Sequence, residues 1–268
     1  MNFVDLTMPL NHRWMPDEGL PTAIKFFLGP KNHQEKGMVV GSDSGTSLAL
    51  PALFADFRKT TRLDQVPIEK LFLRPAAIAN INKGAGEEIN KADAQQAFDA
   101  ASPAKGNALL VVTGWGDKPH HHAEGNEYVL SSPHFSLEAA HYLARAMHDN
   151  DNDLLLVDTA VLGLPQSHLV DTAVLGLPQS HIIPEWFSML PAPAAESPEA
   201  RMYLHLYDGE KAKKDFAVDM EFARMGIMTV RKLIGCGQIR SRRIKMIVSP
   251  LNVVRGVGST CRVVAVEE

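Results

Sequence analysis

The stretch Gly41–Leu53, which reads GSDSGTSLALPAL, changes at its centre from small polar residues to apolar ones. Small polar residues around Gly45 are typical of a tight turn, and the apolar run that surrounds Pro51 is typical of a buried segment. The preceding residues, Gly37–Gly41 (GMVVG), predict a strand that leads into the turn. We therefore predict a strand, a turn and a buried segment, in this order.

The composition is that of an ordinary globular protein. The 268 residues are 45% hydrophobic and 22% charged, which allows a substantial core. The formal net charge of -4 lacks the basic surplus that nucleic-acid binding normally needs, so we expect no nucleic-acid partner. Cys236 and Cys261 are too few for a disulfide framework or a four-cysteine zinc site, which favours a reducing, cytoplasmic location. We expect no signal peptide and no membrane-spanning segment, because Met1–Asp5 carries an acid and no apolar window is long enough.

Apolar periodicity predicts a mixed α/β chain. Ala108–Trp115 is the clearest strand, because its continuous apolar run is closed by glycine. Ser136 is a good N-cap for a helix in which Leu137, Ala140, Tyr142, Leu143 and Met147 cover one face. Further strands are predicted at residues 4–10, 76–81 and 244–254, a helical turn at 63–71, and helices at 92–101 and 216–233.

A 13-residue segment, Leu156–His168 (LVDTAVLGLPQSH), is repeated without change as Leu169–His181. One identical pair does not fit a solenoid, whose several units have usually diverged. Each copy is able to supply one strand, and the sheet is expected to have one place for it. We predict that Leu154–Thr159 fills this place, because Asp153–Leu156 extends the apolar run. The opposite assignment stays open, since both copies have the same pattern.

Two groups of polar residues have two interpretations each. His120, His121 and His122 favour a solvated loop, because consecutive side chains point in different directions. His134, at the entrance of the helix that Ser136 caps, is a candidate for lining a pocket. A basic run in this acidic chain favours a solvated strand and turn, with an anionic substrate or partner site as the alternative. The run consists of Arg231, Lys232, Arg240, Arg242, Arg243 and Lys245.

Blocks along the whole chain resemble the putative cyclase family, which includes bacterial kynurenine formamidases and isatin hydrolase. The blocks include VDLTMPL at residues 4–10, the Gly41–Leu53 stretch, TGW at 113–115, the Asp158-Thr159 pair and the closing GVGSTCRVVA at 256–265. The resemblance implies a single domain over residues 1–268 with the swivelling β/β/α cyclase-type fold. Residues from about 191 to 243 are matched least, as an insert. It also implies a homodimer or higher homo-oligomer.

In that family, the place of Gly41–Leu53 reads His-X-Gly-Thr-His-X-Asp-X-Pro-X-His, and its His and Asp side chains bind zinc or manganese. The frame is kept here as Gly45, Thr46 and Pro51. The four ligand positions are occupied by Asp43, Ser47, Ala49 and Leu53. A divalent site needs about three or four N, O or S donors, and Asp43 is the one strong donor of these four.

The resemblance also implies a histidine and a glutamate after the Asp158-Thr159 pair. The candidates are His168 or His181 for the histidine and Glu185 for the acid, with a spacing that departs from the family's. We therefore expect Asp43, Ser47 and His168 as metal ligands, and His181, Glu185 and His134 as catalytic residues. A ligand set of Asp43, one of these histidines and Glu185 is the alternative.

The resemblance implies a hydrolase that acts on a small amide, as an arylformamidase does, with an altered metal site. In active relatives the metal polarises the amide carbonyl and activates water, while a His and a Glu move protons. Two alternatives stay open. One is a catalytically inactive relative that binds a small ligand or a partner subunit. The other is a metal-free cyclase or dehydratase that uses Asp43, His134 or Glu185 as acid and base.

Overall fold

In the part of the chain that the structure describes, strands contain slightly more residues than helices. The computed structural model describes residues 1–10, 27–28, 36–37, 45–54, 61–118, 127–163 and 216–268. The strands in these segments are β1 (Asn2–Asp5), β2 (Phe27–Leu28), β3 (Lys36–Gly37), β4 (Ser47–Ala49), β5 (Arg74–Asn80), β6 (Glu88–Ile89), β7 (Ala108–Val112), β8 (His134–Phe135), β9 (Leu154–Val157), β10 (Met228–Arg231), β11 (Ile244–Pro250) and β12 (Gly258–Glu267). The helices there are α1 (Lys91–Ala101), α2 (Glu127–Leu130), α3 (Leu137–Asp149) and α4 (Ala217–Arg224).

The main sheet closes on itself like a barrel. Its strand order is β1-β12-β11-β5-β7-β9-β10-β4, and β4 also pairs with β12. Strands β5, β7, β9 and β10 run parallel to one another, whereas β4 runs antiparallel to β10 and to β12. The result is a single mixed α/β domain, as the sequence predicts for the swivelling β/β/α fold.

Alternating residues of the central strands belong to two different cores. In β7, Leu110 faces the core inside the barrel, whereas Leu109 and Val111 face the core under the helices. Leu154–Val157 alternates in the same way between these two cores. Strands that are covered on both faces are continuously apolar, because neither face meets water. This explains why the clearest strand in the sequence is also the centre of the sheet.

The helices cover the outer face of the sheet. Helix α3 begins at Ser136, whose Oγ accepts a hydrogen bond from the Ala139 backbone N–H at 3.1 Å, as expected for an N-cap. Ala140, Leu143 and Met147 are buried, as predicted for its apolar face. Leu137 was wrongly assigned to that face: it is 51% exposed, because it lies in the first turn and points away from the sheet-covering side. Within the described segments, no helix is long and apolar enough to cross a membrane.

The predicted helix over residues 216–233 is too long. Helix α4 ends at Arg224, and Gly226 then adopts a left-handed conformation with φ of +76°. The chain continues as β10, which pairs in parallel with β9 through Met228, Thr229 and Val230. The methionines are spaced as in a helix, so the local pattern predicted one. Residues 228–231 form a strand instead because they pair with the free edge of β9, a tertiary contact that the local pattern does not reveal.

The first copy of the repeat supplies β9, so the prediction that Leu154–Thr159 fills the sheet is confirmed. The second copy, Leu169–His181, lies outside the described residues. The same holds for Met38–Gly41 and for His120, His121 and His122.

Candidate functional site

Several family blocks meet at one edge of the sheet. Parallel strands end at the same edge, and open clefts of α/β proteins form there. Thr113 follows β7, Asp158 follows β9 and Lys232 follows β10. Because β4 is antiparallel to β10, Thr46 at its start lies at this edge as well. We call these four residues the edge cluster.

Asp158 ties the end of β9 to the end of β7. Its Oδ1 accepts hydrogen bonds from the Thr113 backbone N–H at 2.8 Å and from Thr113 Oγ1 at 2.7 Å. Its Oδ2 accepts the Gly114 N–H at 2.8 Å. The side chain is fully buried, and this burial raises the pKa of the carboxyl although the hydrogen bonds lower it. Asp158 therefore fixes the backbone that forms the edge.

Thr46 joins the start of β4 to two distant segments. Its Oγ1 accepts the Met8 backbone N–H at 2.8 Å and donates to the Lys232 carbonyl oxygen at 2.7 Å. The Thr46 side chain is buried, so its hydroxyl satisfies two groups that water does not reach. The Gly-Thr of the family frame is thus a structural connection at this site.

Lys232 is a buried cation at the same edge. The residue is 1% exposed, and its backbone N–H donates to the Thr159 carbonyl oxygen at 3.0 Å. Its φ of +62° lies in the left-handed region, which an L-residue keeps only where its surroundings enforce it.

The prediction of a solvated basic run is therefore wrong at its first two residues. Arg231 is 1% exposed, and its Nη1 lies 3.5 Å from Asp219 Oδ1 on α4. The basic run does not reveal this burial, because it results from the ion pair with Asp219 and from the pairing of β10 with β9 and β4.

His134 lies in β8, next to the segment that follows Asp158. Ser132 Oγ accepts the Ala160 N–H at 3.0 Å, and the Phe135 N–H donates to the Leu162 carbonyl at 2.7 Å. His134 is 7% exposed, and its Nδ1 is buried without a hydrogen-bond partner in the described part of the chain. A buried imidazole nitrogen without a partner is uncommon and marks a functional candidate.

Two aromatic residues pack beside these groups. The rings of Trp115 and Tyr128 stack with centroids 6.1 Å apart, and Trp115 Nε1 donates to the Tyr128 carbonyl oxygen at 3.2 Å. Both residues are buried, together with Met8, Ala160 and Val161. The segment after β7 is thereby fixed against the segment that leads to His134.

The described residues do not fit the metal site of the family. Ser47 is buried on β4, and Ala49 and Leu53 have no donor atom in their side chains. Across the described ranges, no group of three His, Cys, Asp or Glu side chains is placed to hold a metal ion. Asp43, His168, His181 and Glu185 lie outside these ranges, so of the predicted site residues the structure places Ser47 and His134.

Comparisons with known proteins agree with this architecture. The family model described as putative cyclase matches residues 4–160, which is more than half of the chain. No curated protein matches the sequence. Among solved structures, the chain is similar to isatin hydrolase A from Ralstonia solanacearum, with 17% identity, a TM-score of 0.63, and coverage of 100% of this chain and 92% of the other.

Two further solved structures are similar. An isatin hydrolase bound to the product analogue thioisatinate has 14% identity, a TM-score of 0.65, and coverage of 100% and 93% of the two chains. A potential metal-dependent hydrolase with cyclase activity has 14% identity, a TM-score of 0.58, and coverage of 98% of both chains. Identities this low support the fold, and the family match supports the assignment: this chain belongs to the putative cyclase family.

Proposed function

We propose that this chain hydrolyses the C–N bond of a small amide, as an arylformamidase does, with a metal site altered from the family pattern. The observation that carries the proposal is the convergence of the family blocks at one sheet edge, with His134 beside them. The isatin hydrolases that share the fold give the substrate class, because isatin is a small cyclic aryl amide. An aryl formamide and an aryl lactam are therefore the substrates to test.

Amide hydrolysis needs a group that accepts a proton from water and a group that stabilises the developing oxyanion. The Nδ1 atom of His134 is buried without a partner in the described residues, so no described group uses its hydrogen-bonding capacity. Lys232, which follows β10 at the edge cluster, is a buried basic residue. In this proposal His134 moves the proton and Lys232 stabilises the negative charge.

The remaining assignments stay predictions from the sequence. His181 and Glu185 are proposed as further catalytic groups, and Asp43, Ser47 and His168 as ligands of the altered metal site. The similar structure described as a metal-dependent hydrolase supports a metal in relatives of this fold. Elemental analysis of the wild type and of Asp43→Ala tests this assignment. Near-stoichiometric zinc or manganese that falls in Asp43→Ala supports it, and absence of metal from both proteins removes it.

The catalytic assignment is tested with His134→Ala and a matched control, His141→Ala. General acid–base groups contribute about a hundredfold or more to the rate, so His134→Ala is expected to lower kcat for an aryl formamide by at least that factor. His141 has an exposed side chain on α3 that contacts Glu221, away from the edge cluster, and its removal should leave kcat unchanged. Equal activity of the two variants would contradict the role of His134.

One observation favours a second candidate function. Ala49 and Leu53 cannot coordinate metal, which suits a catalytically inactive relative that keeps the pocket for a ligand or a partner subunit. In that case an aryl amide or its product raises Tm by binding the folded state, without any turnover. Turnover that persists after chelation would instead favour the metal-free cyclase or dehydratase.

A further inference from the structure

A cavity lies beside β5, at the edge of this strand opposite β7. Strand β11 pairs with β5 at Arg74, Pro75 and Ala76, and no described strand pairs with this edge of β5 beyond Ala76. The chain that precedes β11 diverges here, and it leaves a cleft of about 840 Å³. This volume lies in the range of small-molecule sites, about 300–1,000 Å³. We call it the basic cleft.

The charges that line the basic cleft are mostly positive. Arg240, Arg242, Arg243 and Lys245 line it, and Glu268 is the acidic residue among its lining residues. Lys245 forms an ion pair with Glu268, and Arg240 and Arg243 interact electrostatically with Glu267 and Glu268. The chain as a whole has a formal net charge of -4, so this concentration of cations is local. It creates a local positive potential at the exposed arginine side chains.

The backbone that carries the arginines is fixed before any ligand binds. The Glu267 carboxylate accepts the backbone N–H groups of Arg240 at 2.6 Å and Ser241 at 2.8 Å. Its other oxygen accepts the Asn2 side-chain amide at 2.6 Å. Ser241 Oγ further accepts the Arg243 N–H at 3.1 Å. We call Arg240, Arg242 and Arg243 the arginine rim. Because its backbone is ordered before binding, less conformational entropy is lost when a ligand binds.

The inner walls combine apolar side chains with amide groups. Ile78, Val112 and Ile239 contribute apolar surface, and Asn80 and Asn107 contribute side-chain amides. The end of α1, at Ala101 and Ser102, closes the opposite side. A helix C-terminus repels anions, so an anionic group is expected against the arginine rim while an apolar body lies against β5.

From this arrangement we propose that the basic cleft binds a small organic anion, with a carboxylate or phosphate on the arginine rim and an aromatic or aliphatic body on the apolar wall. Arginine guanidinium groups bind both anions through paired hydrogen bonds. The proposal is independent of the proposed hydrolysis, because none of the residues that carry it belongs to the edge cluster.

The test is isothermal titration calorimetry of the full chain with phenyl phosphate, benzoate and the neutral, amide-free benzyl alcohol. We expect phenyl phosphate or benzoate to bind, more weakly at high salt, and benzyl alcohol to give no comparable heat. The double variant R240Q/R242Q should weaken binding by about tenfold or more, since each charge-assisted hydrogen bond contributes that order. Arg145→Gln, which removes an exposed arginine of α3, is the matched control and should bind like the wild type.

Two more variants keep the proposal falsifiable if R240Q/R242Q does not fold. Glu268→Gln should tighten binding, because it removes the acidic residue of the cleft and frees Lys245. His134→Ala should bind like the wild type, which separates this cleft from the proposed hydrolytic site. The proposal is overturned if neither anion binds, if benzyl alcohol binds as tightly, if R240Q/R242Q or Glu268→Gln leaves affinity unchanged, or if His134→Ala abolishes binding.

Discussion

Thr46 connects four segments that are far apart in the sequence. Its hydroxyl bonds Met8 and Lys232, and its carbonyl oxygen accepts the Cys261 N–H at 2.9 Å. The small polar residues around Gly45 predicted a turn here but not these partners, because hydrogen bonds to remote segments leave no local pattern. Lys232 illustrates the same limit, since its burial depends on chain that is distant in sequence.

Thr46→Val tests the connection. Valine has nearly the same shape but leaves the Met8 N–H and the Lys232 carbonyl unpaired in a buried place, so we expect a loss of about 1–3 kcal/mol in the free energy of unfolding. Urea denaturation measures it. The exposed Thr61→Val is the control and should change stability by less than about 0.5 kcal/mol. Equal effects of both substitutions would mean that the hydroxyl of Thr46 is not structural.

Asp158→Asn is expected to destabilise the fold by about 1–3 kcal/mol, because an amide group would face the Gly114 N–H, which now donates to a carboxylate. Asp149→Asn, an exposed substitution on α3, should have little effect. Denaturant titration compares the two. If Asp158→Asn were as stable as Asp149→Asn, the three hydrogen bonds of Asp158 would not contribute as described.

The pH dependence of Asp158 has a definite sign. Burial raises the pKa of this carboxyl above its ordinary value of 3.8, so the native state holds the proton more tightly than the unfolded chain. This contribution is therefore present at low pH and is lost as pH rises through the raised pKa. Asp158→Asn removes it, so Tm of the variant relative to wild type should rise as pH increases. A difference in Tm that stays constant from below pH 3.8 to neutral pH would contradict a raised pKa of Asp158.

At the scale of elements, the end of β7 and the end of β10 approach closely at Gly116. A Cβ atom there would lie 2.0 Å from the Leu233 carbonyl oxygen, so one of the two backbones would have to move. The sequence predicted a strand end at Thr-Gly-Trp-Gly but not the close contact between these two backbones. The continuous apolar runs of β7 and β9 predicted these strands correctly, whereas the residues of β10 have a helical pattern and were predicted as a helix.

Gly116→Ala is expected to destabilise the protein more than Gly86→Ala. Gly86 has φ of +69° and no atom within 4 Å of an added Cβ. Gly86→Ala should therefore lower the free energy of unfolding only by the strain of a left-handed residue, about 1 kcal/mol. Gly116→Ala adds a backbone clash at the edge cluster. Unfolding free energies of both variants decide the question, and a smaller loss for Gly116→Ala would contradict the close approach.

At the scale of the molecule, Glu267 links the two ends of the chain. It bonds Asn2 as well as the Arg240 and Ser241 backbone. The Ser241 N–H, the Asn2 amide and the Arg240 N–H hold the pKa of Glu267 below its ordinary value of 4.5. The fold type followed from family resemblance, whereas this closure could not be predicted, because Glu267 bonds groups that lie 26 and 265 positions away in the sequence.

Glu267→Gln tests this link through its pH dependence. A lowered carboxyl pKa stabilises the fold above the unfolded value and loses this effect as pH falls through the folded pKa. The wild type should therefore be more stable than Glu267→Gln at neutral pH, and the difference in Tm should shrink below about pH 4.5. Glu69→Gln, an exposed substitution, serves as the control. A difference that does not change with pH would show that the charge of Glu267 is not involved.

The central claim is amide hydrolysis at the edge cluster. Its most direct test is the rate at which the purified wild type hydrolyses an aryl formamide and isatin, with zinc or manganese supplied and again after chelation. We predict turnover well above the uncatalysed rate with at least one of these amides, and a loss of that turnover in His134→Ala. No turnover of either amide under any metal condition, from a folded protein that still binds them, would contradict the claim and leave the ligand-binding relative as the better account.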